Sequence, residues 1–270
     1  MPPASQHLHS RIVQSRQNSR VKELRACLSS GALSAAGRVG IEGEHLLLEA
    51  VRSEVEIATV FFRSGNETLL ARIEMGAEVE VIELPAEIFA SAVTTESPQG
   101  IAALVAPKSF SLDDAVCGES PMVVLAAGLQ DPGNLGTLIR SAEAFGASGV
   151  IALPGTVSHW NAKAMRASSG SVFRLPVVTA GEDEVFSRMR SLGVRVLAAV
   201  AERGVSATES QLSGPVALMI GNEGRGLSAA LLARADGRIT IPCPGPVESL
   251  NAAIAGSVLL YEASRQRRAL

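Results

Sequence analysis

Three short segments rich in Gly, Pro and small amides, each standing directly behind an apolar run of strand length, restrict this chain more than its overall composition does. The first is Asp131-Pro132-Gly133-Asn134-Leu135-Gly136, with Arg140 following it. The second is Gly221-Asn222-Glu223-Gly224-Arg225-Gly226, and the third runs from Ile241-Pro242 to Ser249-Leu250-Asn251. Each ends a strand-like run and leads into a helix-like one, so the fold class is α/β, in which open sheets collect ligands at the carboxyl ends of their strands.

From Pro121 onward the pattern is one of long α/β units. Strands are expected at 122–127, 150–153, 195–199, 216–220 and 238–241, and helices at 135–145, 161–167, 182–192, 228–233 and 249–267. Runs that are apolar on both faces predict a parallel sheet. The N-terminal part alternates shorter elements: a helix-like spacing over 11–28, a helix with Leu46, Leu47, Ala50 and Val51 on one face, and a strand at 57–62. A helix at 67–75, a strand at 78–82, a short helix opening with Pro85 and a last strand at 100–105 complete it. The division is a smaller α/β domain at 11–105, a linker at 106–119 and a larger domain at 120–270.

Hydrophobic residues are 47% of the chain and charged ones 19%, ample for two packed cores. No apolar stretch reaches the roughly 18 residues of a membrane span. The first twenty residues are polar and basic with no apolar centre, unlike a signal peptide, so a soluble, cytoplasmic protein is expected. Cys27, Cys117 and Cys243 are widely separated and show no metal-ligand spacing, and His7 and His9 form only a pair near the N-terminus; no metal is assigned. The net charge of −3 argues against a nucleic-acid partner as a sum, yet Arg11, Arg16, Arg20, Lys22 and Arg25 cluster against a single Glu23. That cluster reads equally as a solvated arm or an RNA contact.

Taken residue by residue, the three segments admit plain structural readings. Asn134 fits a helix N-cap. Arg140 stands in a helix of small and apolar residues, where a guanidinium calls for an anion: a bound phosphate or Glu143 would serve. In the second segment Gly224 and Gly226 let backbone pass close to a ligand, but the Gly-x-x-Gly-x-Gly order is not a dinucleotide fingerprint. In the third, Pro242, Pro244 and Pro246 stiffen the loop and Ser249 is a plausible N-cap. The closing helix carries Leu250, Ile254, Val258 and Tyr261 on one face, as a core helix would.

In this order and spacing the segments resemble the three motifs of the SpoU (TrmH) family of RNA ribose 2′-O-methyltransferases, over about residues 120–268. The resemblance implies an α/β-knot (SPOUT) domain, threaded as a deep trefoil knot, with S-adenosylmethionine as methyl donor and no metal. It implies a catalytic set of Asn134, Arg140, Glu223, Ser249 and Asn251, with Gly221, Ile241 and Leu250 holding the donor through backbone groups. Arg140 would bind the phosphate beside the target ribose and the developing alkoxide, since a guanidinium stays protonated and is a poor base. The string from Gly40 to Leu47 and the Gln99-Gly100-Ile101 turn resemble landmarks of an L30e-like substrate-binding domain. Structured RNA is the implied partner, ribosomal RNA before transfer RNA, and a homodimer through the C-terminal domain is implied as well. A non-catalytic RNA-binding dimer of the same fold and an unrelated doubly wound nucleotide-binding domain are the competing readings.

Overall fold

The structure, a computed structural model, describes residues 10–73, 75–247 and 249–268; His7 and His9 lie outside them. In chain order the strands are β1 (Ser10–Ile12), β2 (Val39–Glu42), β3 (Glu56–Arg63), β4 (Glu80–Leu84), β5 (Ile101–Ala106) and β6 (Met122–Ala127). They continue with β7 (Gly149–Ala152), β8 (Val177–Thr179), β9 (Arg195–Ala199), β10 (Val205–Ser206), β11 (Val216–Gly221) and β12 (Gly237–Thr240). The helices are α1 (Ser19–Ser30), α2 (Glu44–Arg52), α3 (Ala86–Ala92), α4 (Leu112–Ala115) and α5 (Pro132–Ala144). After these come α6 (Ala162–Ser168), α7 (Glu182–Ser191), α8 (Ala229–Arg234) and α9 (Ala252–Arg268). Among the described residues no helix is long and apolar enough to cross a membrane.

The chain forms two compact units, one reaching Lys108 and including Trp160–Phe173, the other holding Ser109–His159 and the chain from Arg174 onward. The first unit is built on a five-stranded sheet of order β1-β4-β3-β5-β2, in which only the pairings of β5 are antiparallel. Val21, Leu24, Leu28, Phe61, Ile82, Phe89 and Leu104 fill its core. The helix expected over 11–28 is in fact a short strand and a later helix. Residues 10–12 pair with β4, and α1 starts only where the Asn18 side chain accepts from the Arg20 N–H at 2.9 Å. The helix expected at 67–75 is a 3₁₀ turn, Glu67–Arg72. Strand β2 was not anticipated because Gly40 weakens its strand signal; a Cβ at Gly40 would lie 2.9 Å from the Leu28 side chain, so the glycine lets α1 close on the sheet.

Every pairing in the second unit's seven-stranded sheet is parallel, in the order β10-β12-β9-β11-β6-β7-β8. The central strand β11 is buried over all but its last residue and its neighbour β6 along its whole length, as expected for strands covered on both faces. The two short strands β8 and β10 are additions to the expected set, being too brief to show a period. Within 106–119, Ser111 and Asp114 form a capping box for α4, and Ala115 and Val116 are buried in this unit's core.

That packing leaves no room at Gly149, where a Cβ would stand 2.6 Å from the Ala115 Cα and 2.8 Å from its carbonyl oxygen. Gly149→Ala is therefore expected to destabilise the protein by about 1–3 kcal/mol. Gly181→Ala, where the new methyl meets open space, is expected to stay within about 0.5 kcal/mol. Thermal unfolding of the two variants beside the parent checks the difference.

Candidate active site

Strands β11 and β6 lie side by side with Gly221 opposite Ala127, so the first and second segments leave the sheet as neighbours at its carboxyl edge. Strand β12, which delivers the third segment, is joined to them through β9. The three segments thus share one edge because parallel strands all end their chains on the same side.

Local polar contacts shape each loop. Asp131, not Asn134, caps α5: its carboxylate accepts from the Gly133 N–H at 2.7 Å, and Pro132 occupies the first turn. Asn134 is left inside that turn with its amide free to reach elsewhere. In the second loop the Asn222 side-chain oxygen accepts from the N–H groups of Gly224 and Arg225, each at 3.0 Å, while its side-chain amide donates to the Gly128 carbonyl at 2.8 Å. Gly221 admits no larger residue, since a Cβ would fall 2.6 Å from the Gly226 carbonyl carbon. In the third loop α9 begins at Ala252, and its cap is Asn251 rather than Ser249: the Asn251 side-chain oxygen accepts from Ala253 and Ile254 at 2.9 and 3.2 Å. Asn222 was missed in the sequence, although an Asn after a strand-ending Gly is a turn signal.

One hydrogen-bonded chain joins the three loops. The Asn251 amide donates to the Asn134 carbonyl oxygen at 3.0 Å, and the Asn134 amide donates to the Glu223 carboxylate at 3.0 Å. Glu223 also accepts from the backbone N–H groups of Asp131 and Gln130, at 3.3 and 3.4 Å. Burial pushes the Glu223 pKa up, but donation from Asn134 and from the backbone N–H groups of Glu223, Gln130 and Asp131 outweighs it, and the carboxyl is held below its ordinary value.

Beside this chain opens a cavity of about 620 Å³. Gly221, Glu223, Ile241, Ser249 and Leu250 line it, so five of the eight sequence-predicted residues share one wall. Apolar side chains of Ile220, Ile239 and Leu259 and small residues such as Ala199 and Ala255 give it a mostly uncharged lining. The carboxyl end of β9 and the loop beyond it, Ala199 to Arg203, also line the cavity, although no motif marks them in the sequence.

Arg140 is outside this wall. It is exposed on α5 and has no hydrogen bond or ion pair among the described residues. Glu143, one of its possible partners by sequence, is engaged by Arg174 at 2.6 and 3.0 Å. Within one chain Arg140 is not buried, so its place in an apolar helix does not by itself require an anion.

Helix α9 packs on α5 through its small residues: a Cβ at Gly256 would come 2.4 Å from the Leu138 side chain, and the hydroxyls of Ser141 and Ser257 are 2.6 Å apart. The inward face is Ala253, Gly256, Leu259, Leu260 and Ala263. The stripe expected in the core faces solvent instead, with Ile254, Val258 and Tyr261 exposed by 54%, 39% and 50%. Tyr261 also meets Phe145 of the α5 end edge to face, with ring centres 5.8 Å apart.

Comparison with known proteins covers both units. Residues 121–261 match the model of the SpoU rRNA Methylase family, and residues 18–103 match that of the MRM3-like substrate binding domain. The 23S rRNA (guanosine(2553)-2′-O)-methyltransferase RlmP of Bacillus subtilis is 32% identical over 250 residues, which is 92% of this chain and 97% of that protein. An rRNA methyltransferase from Sinorhizobium meliloti, solved with AdoMet bound, superposes with a TM-score of 0.82 at 30% identity, covering 95% of this chain and 98% of the other. AviRb from Streptomyces viridochromogenes, in complex with AdoMet, gives a TM-score of 0.80 at 28% identity over 93% of this chain and 99% of its own.

Removal of the central amide tests the hydrogen-bonded chain. Asn134→Ala takes away the side-chain donor to Glu223, so the carboxyl pKa is expected to rise toward its ordinary value, read from the side-chain carbon shift in an NMR titration. Because the folded-state value is depressed, the stabilisation from Glu223 is complete above the ordinary carboxylate range and is lost as pH falls through the depressed value. An unmoved titration in the variant would show that the amide does not hold the carboxylate.

Proposed function

Because the chain belongs to the SpoU rRNA methylase family, we propose that it methylates a ribose 2′-hydroxyl in 23S ribosomal RNA. It is an RNA methyltransferase whose methyl donor is S-adenosylmethionine. The observation that carries the finer reading is the hydrogen-bonded chain Glu223–Asn134–Asn251, which ties all three loops together beside a cavity of donor size. The choice of 23S RNA rests on RlmP of Bacillus subtilis, which is named for that substrate and shares nearly the full length of this chain. Transfer RNA is the alternative substrate.

The cavity fits the donor by its chemistry. Ile220, Ile239, Ile241 and Leu250 offer apolar surface for an adenine, the loops offer backbone polar groups for its edge, and Gly221 keeps its backbone uncovered. When bound there, the donor supplies a methyl group already activated on a sulfonium. The protein's remaining task is to hold the ribose hydroxyl in line and about 3 Å from that carbon, which is a matter of proximity and orientation.

In this reading Gly221, Ile241 and Leu250 contact the donor through their backbones. Glu223, Asn134 and Asn251 spend their polar groups on one another and on α9, so they act by positioning the loops. Ser249 is exposed on the cavity wall, with its hydroxyl available to the ribose. Arg140 binds the phosphate next to the target sugar and stabilises the alkoxide as its proton leaves to water or to that phosphate. The third loop is threaded through an earlier one as the trefoil knot of the family, and the N-terminal unit binds the RNA substrate. The outward stripe of Ile254, Val258 and Tyr261 forms the interface of a homodimer, the enzyme working in the cytoplasm.

Two measurements test this. Purified protein with labelled S-adenosylmethionine is expected to label 23S RNA from cells lacking the gene at a ribose, located by mass mapping; label found in transfer RNA alone would reassign the substrate, and none in any RNA would favour the non-catalytic reading. Arg140→Lys is expected to lower the turnover number about 10²-fold, and full activity would remove the guanidinium from the mechanism. In sedimentation the parent is expected as a dimer and Val258→Asp with Tyr261→Glu as a folded monomer, whereas a monomeric parent would refute the interface.

A further inference from the structure

We propose that Glu202 and Arg203, just beyond the carboxyl end of β9, clamp the amino-acid end of the donor, Glu202 taking its ammonium group and Arg203 its carboxylate. The inference rests on the assignment of the cavity to S-adenosylmethionine and extends it to residues outside the three motifs.

Glu202, Arg203 and Glu223 are the charged side chains in the cavity wall. Glu223 is already held by Asn134 and two loop N–H groups. Glu202 and Arg203 are exposed and have no hydrogen bond or ion pair among the described residues. An α-amino acid presents a cation and an anion one carbon apart, and two consecutive side chains of opposite charge are complementary to it. A guanidinium binds a carboxylate through two parallel hydrogen bonds, which adds direction to the charge pairing.

The loop that carries them is held in place rather than left to drift. The Val200 N–H donates to the Ile239 carbonyl at 2.9 Å, and the Thr240 hydroxyl donates to the Ala201 carbonyl at 2.8 Å. On the far side Gly204 lies so close to β12 that a Cβ would stand 2.8 Å from the Ile239 carbonyl carbon. Between these anchors Arg203 adopts the left-handed backbone with φ of 58°, a region costly to a residue with a Cβ. Such strain persists where surrounding contacts impose it, and it gathers at binding sites. A glycine would relieve it, yet the position carries a long cationic side chain.

The test is calorimetric binding of two probes, S-adenosylhomocysteine, which keeps the amino-acid end, and 5′-methylthioadenosine, which lacks it. The parent is expected to bind the first more tightly. Glu202→Gln and Arg203→Ala should each weaken S-adenosylhomocysteine by about tenfold while leaving 5′-methylthioadenosine within about twofold. Arg203→Gly should lose the same affinity with an unchanged or higher Tm, which a structural role for the side chain would not give. Equal losses for both probes would place the contact at the nucleoside and overturn the clamp, as would unchanged affinity for S-adenosylhomocysteine. Failure of the parent to bind either probe would overturn the donor assignment of the cavity itself, and the clamp with it.

Discussion

A primary amide has a donor end and an acceptor end, and in Asn134 both are used: the nitrogen donates to Glu223 and the oxygen accepts from Asn251. This polarity makes the contact selective. A carboxylate on one side and an N–H on the other is the arrangement that satisfies it, and neither an aspartate nor a leucine at the same place could bridge the two. Since Glu223 and Asn251 belong to loops leaving β11 and β12, the amide holds in one place three chain segments that are far apart in sequence. The deprotonated state of Glu223 matters for the same reason, because a carboxylate can accept from Asn134 and from the backbone of the first loop together.

The sheet makes that meeting possible. Parallel pairing brings the carboxyl ends of β6 and β11 into register, so the loops begin a strand spacing apart and need only short side chains to touch. On the other side of the first loop, α9 lies close along α5 because Gly256 leaves space for Leu138. The cap that starts α9 is the same Asn251 that reaches Asn134, so helix packing and loop geometry are linked through one residue. With Ala253, Gly256, Leu259, Leu260 and Ala263 turned inward, α9 leaves Ile254, Val258 and Tyr261 on its outer face as an exposed stripe.

Charge follows a similar local logic. The chain as a whole is acidic, yet several arginines of the second unit, Arg140, Arg203 and Arg225 among them, are exposed with guanidinium groups that make no hydrogen bond or ion pair among the described residues, the last two on loops at the cavity. Others are committed to carboxylates: Arg174 to Glu143 and Arg234 to Asp183 and Glu182. A net charge of −3 therefore describes the sum and not the field at the site, where uncommitted guanidinium groups face whatever anion approaches.

Apolar runs of strand length identified β6, β9 and β11 almost to the residue, and glycines and prolines behind them marked where the loops of the site begin, because both signals are local. By itself, then, the sequence determined the parallel α/β class, the order of the long elements and the three loops that meet at the cavity. Tertiary structure alone decided that Asp131 and Asn251 act as the caps in place of Asn134 and Ser249, that the wall beyond β9 joins the cavity, that Arg140 stands outside it, and that the Ile254, Val258 and Tyr261 stripe faces outward. The physical reason is that a side chain's partner is set by what folds opposite to it. The Asn134 amide meets carboxylate and amide groups 89 and 117 positions away, and no periodicity within a segment can register a neighbour at that distance.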